Sequence, residues 1–194
     1  NKTAPELLGT YDTPGFARGL WISGNYAYIA DGDNGLVVLN ISNPSAIFQV
    51  AYYDTPGTAR MVVMNVDNKT FVADGAAGLL VLSVSTSTGL VDVLVSWLPP
   101  SGVTESVVVG GDSDTIVYVA LGEAGIRSLK VSKNNVVFWD PADGWAVNDT
   151  PGYAQDIIMS DTTYLYVADG VGGLRVINKD WSLLNELGRY DSPG

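Results

Sequence analysis

The stretch YAYIADGDNGLVVLNIS (26–42) recurs three more times along the chain. The other copies are KTFVADGAAGLLVLSVS (69–85), IVYVALGEAGIRSLKVS (116–132) and YLYVADGVGGLRVINKD (164–180). In each copy an alternating segment ends in Ala-Asp-Gly or Ala-Leu-Gly, and a glycine five residues after the alanine begins a second, apolar segment. These glycines are Gly35, Gly78, Gly125 and Gly173, separated by 43, 47 and 48 residues. A period of this size is typical of proteins built from stacked supersecondary units.

Each repeat predicts four β-strands, which we name A to D. Strand A follows a TPG-type turn, strand B ends in ADG, strand C begins at the anchor glycine, and strand D runs into the next turn. That turn is spelled YDTPG (11–15 and 53–57), NDTPG (148–152) and YDSPG (190–194). Proline fixes φ in this turn, and the glycine after it can take positive φ. No segment shows sustained helical periodicity, so the sequence predicts an all-β chain.

Strand C is apolar almost without alternation, as in 36–39 and 79–82. This pattern is typical of a strand that is buried on both faces. Four-stranded sheets stacked around an axis bury their middle strands in this way, and repeats of about 40–50 residues are typical of β-propeller blades. We therefore predict one domain, 1–194, forming a four-bladed β-propeller, and the sequence leaves open whether it is a closed disc or an open polymer. Its predicted parts are blades 13–54, 55–98, 99–149 and 150–191, with 1–12 as a surplus copy of strand D.

Two of these segments, GLVVLNISNPS (35–45) and YDTPGTARMVV (53–63), resemble the LVIVD-type repeat. That family consists of β-propeller proteins, often on bacterial and archaeal surfaces. The resemblance extends over nearly the whole chain and is weaker in the third copy, where ALGEAG and WLPPSG replace ADGxxG and YDTPG. It implies a propeller scaffold and a surface location. It implies no catalytic residue.

The surplus strand D predicts a competition for one sheet edge, because 1–12 and 182–191 both read as strand D with its turn. The N-terminal copy could complete blade four, or pair with a neighbouring molecule, since exposed edges favour pairing. Alternatively, the chain could be an excised part of a larger propeller. The candidate assembly residues in the N-terminal copy are Pro5, Leu7, Leu8 and Tyr11.

Composition excludes several classes of function. The chain has 10 Lys+Arg against 21 Asp+Glu, a net charge of −11, and therefore disfavours nucleic acid and anionic membranes as partners. It has no Cys and no His, which removes thiolate nucleophiles, imidazole bases and Cys/His zinc sites. No apolar run approaches the ~20 residues that span a bilayer. The absence of an initial methionine and of a leader is consistent with a removed signal peptide or with a piece of a longer chain.

Four Asn-x-Ser/Thr sequons indicate a secreted or surface glycoprotein. They begin at Asn1, Asn40, Asn68 and Asn148. Glycans at these sites would leave the lateral edges and the axis of the disc open for contacts.

Strands A and B are predicted to be antiparallel neighbours, so residue 18 should lie beside residue 31. We therefore predict structural pairs at the mouth of the axial channel, with ion binding as the alternative. The pairs are Arg18 with Asp31, Arg60 with Asp74, and Gln155 with Asp169. In the third copy both members change together, to Glu105 and Leu121.

Enzyme chemistry in this chain would have to depend on carboxylates near the axis, where a propeller can hold a glycoside-cleaving pair. The predicted axial carboxylates are Asp31, Asp74, Glu105, Asp156 and Asp169. Three of them are repeat positions, which favours a structural role. DGDNG (31–35) lacks the glutamate at the twelfth position of a calcium loop. We predict no catalytic residue, no metal and no cofactor.

The sequence therefore predicts a non-enzymatic extracellular propeller with a structural or self-assembly role, such as a surface or filament subunit. Its partner would be itself, through exchange of the N-terminal strand, or another surface protein. The alternatives are a carbohydrate-binding or glycoside-acting propeller and a part of a larger surface propeller. Trp139 and Trp145 flank an insertion, DPADG (140–144), predicted as a contact surface or as a lid over blade three.

Overall fold

The computed structural model describes residues 4–110, 115–131, 147–160, 163–179 and 184–191. These residues form an all-β structure of sixteen strands, with one short 3₁₀ turn at Gly170–Gly172. Among them, no helix has the length and apolar character needed to cross a bilayer.

The strands form four antiparallel sheets of four strands each, in chain order. Blade one contains β1 (Gly19–Ser23), β2 (Tyr26–Ala30), β3 (Leu36–Asn40) and β4 (Phe48–Tyr53). Blade two contains β5 (Met61–Met64), β6 (Lys69–Ala73), β7 (Leu79–Val84) and β8 (Val91–Trp97). Blade three contains β9 (Ser106–Gly110), β10 (Thr115–Ala120), β11 (Ile126–Val131) and β12 (Val147–Asn148). Blade four contains β13 (Asp156–Met159), β14 (Tyr164–Ala168), β15 (Leu174–Asn178) and β16 (Glu186–Tyr190).

The predicted order of strands A to D is therefore the observed order in blades one, two and four, and strands A to C of blade three also follow it. Strand B pairs with strand A on one side and with strand C on the other, as in Tyr28 with Trp21 and with Val38. Strand D pairs with strand C through a register shift in blades one, two and four. A bulge of this kind bends and twists the outer strand, which suits the edge of a twisted blade. The predicted strand D of blade three, with Trp139, DPADG and Trp145, lies outside the described residues.

Backbone conformation and close packing explain why glycine recurs at the four anchor positions. The repeat alone does not show this reason. All four have positive φ, between 69° and 89°. At Gly35 an added Cβ would lie 2.3 Å from the carbonyl oxygen of Tyr53, and at Gly78 it would lie 2.0 Å from that of Trp97. The start of strand C therefore packs directly against the backbone at the end of strand D, where only glycine fits.

The core lies between the blades. In one buried cluster, Phe71 and Val81 of blade two pack with Val117 and Leu129 of blade three. Equivalent clusters join blades one and two, and blades three and four. The apolar residues 36–39 and 79–82 of strand C are buried in blades one and two because they are covered from both sides, as their continuous apolar sequence predicts.

Short backbone bridges hold consecutive blades together near their inner strands. Gly32 exchanges two hydrogen bonds with Ala59, Gly75 with Thr104, and Gly122 with Ala154. The corresponding residues for a fourth bridge, Gly170 and Ala17, are both exposed. No bridge joins them among the described residues.

Among the described residues, core clusters join blades one and two, blades two and three, and blades three and four, and none joins blade four to blade one. The four antiparallel sheets agree with the predicted four-bladed propeller. The cluster on the free face of blade one is completed from its own chain, by Tyr11, Ile41 and Ile47.

The surplus N-terminal strand is not confirmed as a strand. Residues 4–18 have no strand assignment, although Tyr11 packs on blade one. The two copies of strand D were predicted to compete for one sheet edge. The C-terminal copy, β16, occupies that edge as the fourth strand of blade four. The predicted assembly residues lie along this segment: Pro5, Leu7 and Leu8 are exposed and Tyr11 is half-buried.

Candidate functional site

The repeated aspartates lie at the inner ends of the blades and are buried. Asp74, at the end of β6, accepts hydrogen bonds from the Thr55 hydroxyl at 2.6 Å and from the Gly57 backbone N–H at 2.8 Å. Thr55 and Gly57 belong to the turn that leaves blade one. The aspartate therefore binds the linking turn to the next blade, and it is completely buried in doing so.

The same arrangement occurs at two further positions. Asp31 accepts hydrogen bonds from Thr13 at 2.6 Å and from the Gly15 N–H at 2.8 Å. Asp169 accepts them from Thr150 at 2.5 Å and from the Gly152 N–H at 3.0 Å. We name these three units Asp–turn clamps. In blade three the buried Leu121 replaces the aspartate, and only the backbone contact from Val103 to the Leu121 carbonyl remains.

The aspartates thus have a different partner from the predicted one, which is a correction of the Arg18–Asp31, Arg60–Asp74 and Gln155–Asp169 pairs. The backbone of residue 18 does lie at the end of strand B, since Arg18 N–H bonds to the Ala30 carbonyl. The predicted register is therefore close to the observed one. The side chains diverge because the TPG turn folds back over the aspartate and supplies its donors locally.

Burial is the main influence on the Asp74 carboxyl. Removal from water raises the pKa of Asp74, the hydrogen bonds from Thr55 and Gly57 oppose that rise, and the charge of Asp54 adds to it. The net pKa is above the usual value. Such a group holds its proton more tightly in the folded chain than in the unfolded chain.

Of the two predicted arginines, Arg60 contacts the neighbouring blade instead of Asp74. Arg60 of blade two forms an ion pair with Glu105 of blade three at 2.5 Å. Tyr153 of blade four donates a hydrogen bond to the other oxygen of the same carboxylate. Ser106 of blade three donates a hydrogen bond to Asp156 of blade four at 2.6 Å. These contacts fasten blades two, three and four to one another on the inner side.

Blade one does not take part in this inner network. Arg18 is exposed and lies over the Phe16 ring, 5.2 Å from its centroid. Gln155 of blade four is exposed as well. The four inner strands nevertheless surround one cavity of about 350 Å³, which Arg18, Arg60, Glu105, Gln155 and Asp156 line together with four less polar neighbours.

Three of the five predicted axial carboxylates do not reach the cavity, whereas Glu105 and Asp156 line it. Asp31, Asp74 and Asp169 are completely buried under their turns, so a substrate in the cavity would not reach them. The carboxylate of Glu105 is neutralised by Arg60. In the part of the chain that the structure describes, no group of three or more acidic, His or Cys side chains could hold a metal ion.

The pKa of Tyr153 provides a test of its hydrogen bond to Glu105. That hydrogen bond is the largest of the causes that raise the Tyr153 pKa above 10.0; burial is the second and the charge of Glu105 is the third. We expect Glu105→Gln to lower the Tyr153 pKa toward the usual value, because the charged acceptor is lost. The measurement is an NMR titration of ¹³Cζ-tyrosine protein, with Tyr153→Phe identifying the resonance. Glu123→Gln is the control and should move the midpoint less, since Glu123 is the weakest cause. An unchanged midpoint in Glu105→Gln would contradict the assignment.

The predicted sequons differ in their surroundings. Asn68 is exposed, with φ of 58°, in the turn between β5 and β6. Asn40 is half-buried, and its side-chain oxygen accepts hydrogen bonds from Ser42. The side-chain amide of Asn148 donates to the Leu184 carbonyl at 2.9 Å, which directs it into the junction of blades three and four. Asn1 lies outside the described residues.

Arg175 is a buried charge that sequence reasoning missed. Its side chain forms ion pairs with Asp169 at 3.3 Å, Glu186 at 3.6 Å and Asp191 at 3.3 Å. The residue occupies the strand C position held by Val37 and Leu80 in the first two repeats. That break in the apolar run was the available signal. A buried arginine requires such partners, so Arg175 links the Asp169 clamp to Glu186 of β16.

The repeat profile and the observed blades coincide at the two ends of the array. A profile of the LVIVD repeat matches residues 14–55 and 151–191, which contain the strands of blade one and blade four. Blades one and four therefore carry the LVIVD repeat. No curated protein sequence matches this chain.

Solved structures similar to this chain are propeller-like repeat proteins. A functionally unknown protein from Desulfotomaculum acetoxidans DSM 771 aligns with a TM-score of 0.72 at 12% identity, over 98% of this chain and 63% of that one. Virginiamycin B lyase from Staphylococcus aureus aligns with a TM-score of 0.66 at 12% identity, over 94% and 58%. The computationally designed Ika4 protein aligns with a TM-score of 0.58 at 13% identity, over 91% and 99%.

These similarities concern the fold alone. The chain spans about three fifths of the length of the first two proteins and nearly all of the third. The higher TM-scores belong to the two longer proteins.

Proposed function

We propose that this protein is a non-enzymatic structural or interaction module of the cell surface that acts through the two ends of its blade array. The observation that carries the proposal is a difference in burial at equivalent repeat positions. Apolar side chains that are buried at every internal blade junction are exposed at the two ends.

The leading end is formed by blade one. Leu20 is 58% exposed, whereas the equivalent Val62, Val107 and Ile157 in the other blades are almost fully buried. Ile22 on the same strand is 50% exposed. In the other blades, apolar side chains on this inner strand pack against the preceding blade. In blade one, nothing in the described structure covers them.

The trailing end is formed by blade four. Leu174 is 41% exposed, whereas the equivalent Leu36, Leu79 and Ile126 are fully buried. Ile158 on the inner strand is 58% exposed. Large apolar side chains that are exposed at positions buried elsewhere in the array support an interaction site at this end. The two ends are complementary, because internal junctions join the same two kinds of face.

The inner network supports a structural rather than a catalytic role. Its carboxylates already serve as hydrogen-bond acceptors within the fold, and the sequence has no His and no Cys. The surface location is supported by the LVIVD repeat and by the exposed sequon at Asn68. Exchange of the N-terminal strand between copies would require displacement of an existing fourth strand such as β16.

The test is association of the purified chain through its ends. We expect sedimentation velocity to show larger species as concentration rises, because the two apolar faces can join head to tail. Leu20→Lys or Ile158→Lys should shift the distribution toward monomer, since each places a charge in the face that would be buried.

The matched control is Val66→Lys. Val66 is an exposed apolar residue in the turn between β5 and β6, away from both ends, and its replacement should leave association unchanged. Equal effects of all three substitutions, or a monomer at every concentration, would refute the proposal.

A further inference from the structure

The cavity of about 350 Å³ between the inner strands, which we name the axial cavity, receives the same repeat position from every blade. This position immediately precedes the first residue of each inner strand. It is occupied in blades one to four by Arg18, Arg60, Glu105 and Gln155. A strict repeat would place four like side chains here. Each blade instead contributes a side chain of its own chemistry to the cavity wall.

Two of these four side chains neutralise each other. Arg60 forms its ion pair with one oxygen of Glu105, and Tyr153 donates a hydrogen bond to the other oxygen. Both oxygens of the Glu105 carboxylate are therefore occupied within the fold. This pair offers no net charge to a ligand in the axial cavity.

Arg18 has a charge that is not neutralised in the same way. It is exposed, and no described carboxylate forms an ion pair with it. Its guanidinium lies over the Phe16 ring, 5.2 Å from the centroid. Stacking of this kind uses the face of the guanidinium and leaves the N–H donors in its plane open. A carboxylate is a group that fits this planar fork of donors.

Asp156 on blade four carries the opposite charge and lines the same cavity. Its Oδ1 accepts hydrogen bonds from the Ser106 hydroxyl at 2.6 Å and from the Ile157 N–H at 2.9 Å. Its Oδ2 has no donor in the part of the chain that the structure describes, and the side chain is exposed. This oxygen is open to an ammonium group, with which it would form a charge-assisted hydrogen bond.

The axial cavity thus contains one open positive and one open negative group that do not pair with each other. An anion would contact Arg18 favourably and Asp156 unfavourably, and a cation would do the reverse. A molecule that carries both charges satisfies both groups at once. The wall also includes Leu20 and Met61, which offer apolar surface to the rest of such a molecule.

The volume of the cavity limits the size of the ligand. Sites for small molecules typically measure about 300–1,000 Å³. At about 350 Å³ the axial cavity is at the lower end of that range. It therefore suits a small molecule rather than a segment of polymer.

We propose that the axial cavity binds a small zwitterion, an α-amino acid with an apolar side chain. Its carboxylate binds the Arg18 guanidinium, its ammonium group binds Oδ2 of Asp156, and its side chain lies against Leu20 and Met61. The inference goes beyond the proposed function and does not depend on association of the array ends. Leu20 also belongs to the leading end, so the test leaves it unchanged.

The experiment titrates the full chain with L-leucine and follows the backbone amide resonances of Gly19 and Ser106 by NMR. Two analogues separate the charges: isocaproate lacks the ammonium group of leucine, and isopentylamine lacks its carboxylate. We expect L-leucine to bind at millimolar concentration or below. Each analogue should bind at least about tenfold more weakly, because it loses one charge-assisted contact.

Two variants assign the contacts. Arg18→Gln should weaken L-leucine at least about tenfold and make it no better than isopentylamine. Asp156→Asn should have an effect of the same size and make L-leucine no better than isocaproate, while its amide oxygen still accepts from Ser106. The matched controls are Arg189→Gln and Asp92→Asn, which remove exposed charges from the outer strands of blades four and two. Both controls should leave the affinity unchanged.

Three results would overturn the inference. The first is no shift of the cavity resonances at millimolar L-leucine. The second is equal binding of L-leucine and isocaproate to the wild type, which would identify an anion site at Arg18 alone. The third is equal binding of L-leucine and isopentylamine, which would identify a cation site at Asp156 alone. None of these results would change the sedimentation behaviour that tests the proposed function.

Discussion

Asp74→Ala is expected to destabilise the folded chain by about 3 kcal/mol. The substitution removes the acceptor of two hydrogen bonds, from the Thr55 hydroxyl and the Gly57 N–H, at a completely buried position. Each donor left unpaired in a buried site costs about 1–3 kcal/mol. For a chain of this size a loss of 3 kcal/mol corresponds to a fall in Tm of roughly 6–12 °C. Guanidinium and thermal unfolding provide the measurement.

Three variants separate the clamp from other effects of the substitution. Asp92→Ala removes an exposed carboxylate of strand D in the same blade and should stay within about 0.5 kcal/mol of the wild type. Thr55→Val removes one of the two hydrogen bonds and should cost about 1 kcal/mol. Asp74→Asn should not restore stability. The side-chain amide has one oxygen and one NH₂ group, and the NH₂ group would face one of the two donors and could not accept its hydrogen bond. A loss below 1 kcal/mol in Asp74→Ala would contradict the clamp.

The raised pKa of Asp74 adds a pH dependence with a definite sign. The folded chain binds this proton more tightly than the unfolded chain, so between 3.8 and the raised folded pKa it holds more protons. The contribution of Asp74 to stability therefore falls as pH rises through that window. The difference between the stability–pH curves of the wild type and Asp74→Ala should show this slope, and no slope or a rise with pH would contradict it.

Gly78→Ala is expected to cost at least about 3 kcal/mol, for two separate reasons. Gly78 has φ of 89°, a conformation that costs an L-residue about 1–2 kcal/mol. A Cβ there would also lie 2.0 Å from the Trp97 carbonyl oxygen, and displacement of packed structure typically costs another 1–3 kcal/mol or so. The end of β8 would have to move away from blade two.

Gly24→Ala isolates the backbone component. Gly24 also has positive φ, 55°, but an added Cβ would meet nothing within 4 Å. Its replacement should cost about 1–2 kcal/mol, the conformational part alone. The difference between the two variants in guanidinium unfolding then measures the collision with strand D. Equal losses would show that the close approach at Gly78 does not matter.

The repeat made the strands of this chain predictable. The four copies around Gly35, Gly78, Gly125 and Gly173 predicted sixteen strands in the order A to D, because alternation, continuous apolar runs and turn residues are local signals. The register between strands A and B was also close, since a tight turn aligns its flanking strands. The burial of Arg175 could not be predicted in this way, because a buried arginine is explained only by its carboxylate partners, and the sequence does not identify them.

The hydrogen-bond partners of the aspartates and the closure of the array depended on contacts between residues that are far apart in the chain. Asp74 binds Thr55 and Gly57 rather than Arg60, because the turn of the preceding repeat folds over it and brings its donors nearer than any side chain on the adjacent strand. The four-stranded blade follows from the sequence period, because a blade is assembled from neighbouring segments. The missing bridge between Ala17 and Gly170 could not be predicted in this way, because it depends on how the side chains of sheets that are distant in the chain pack together.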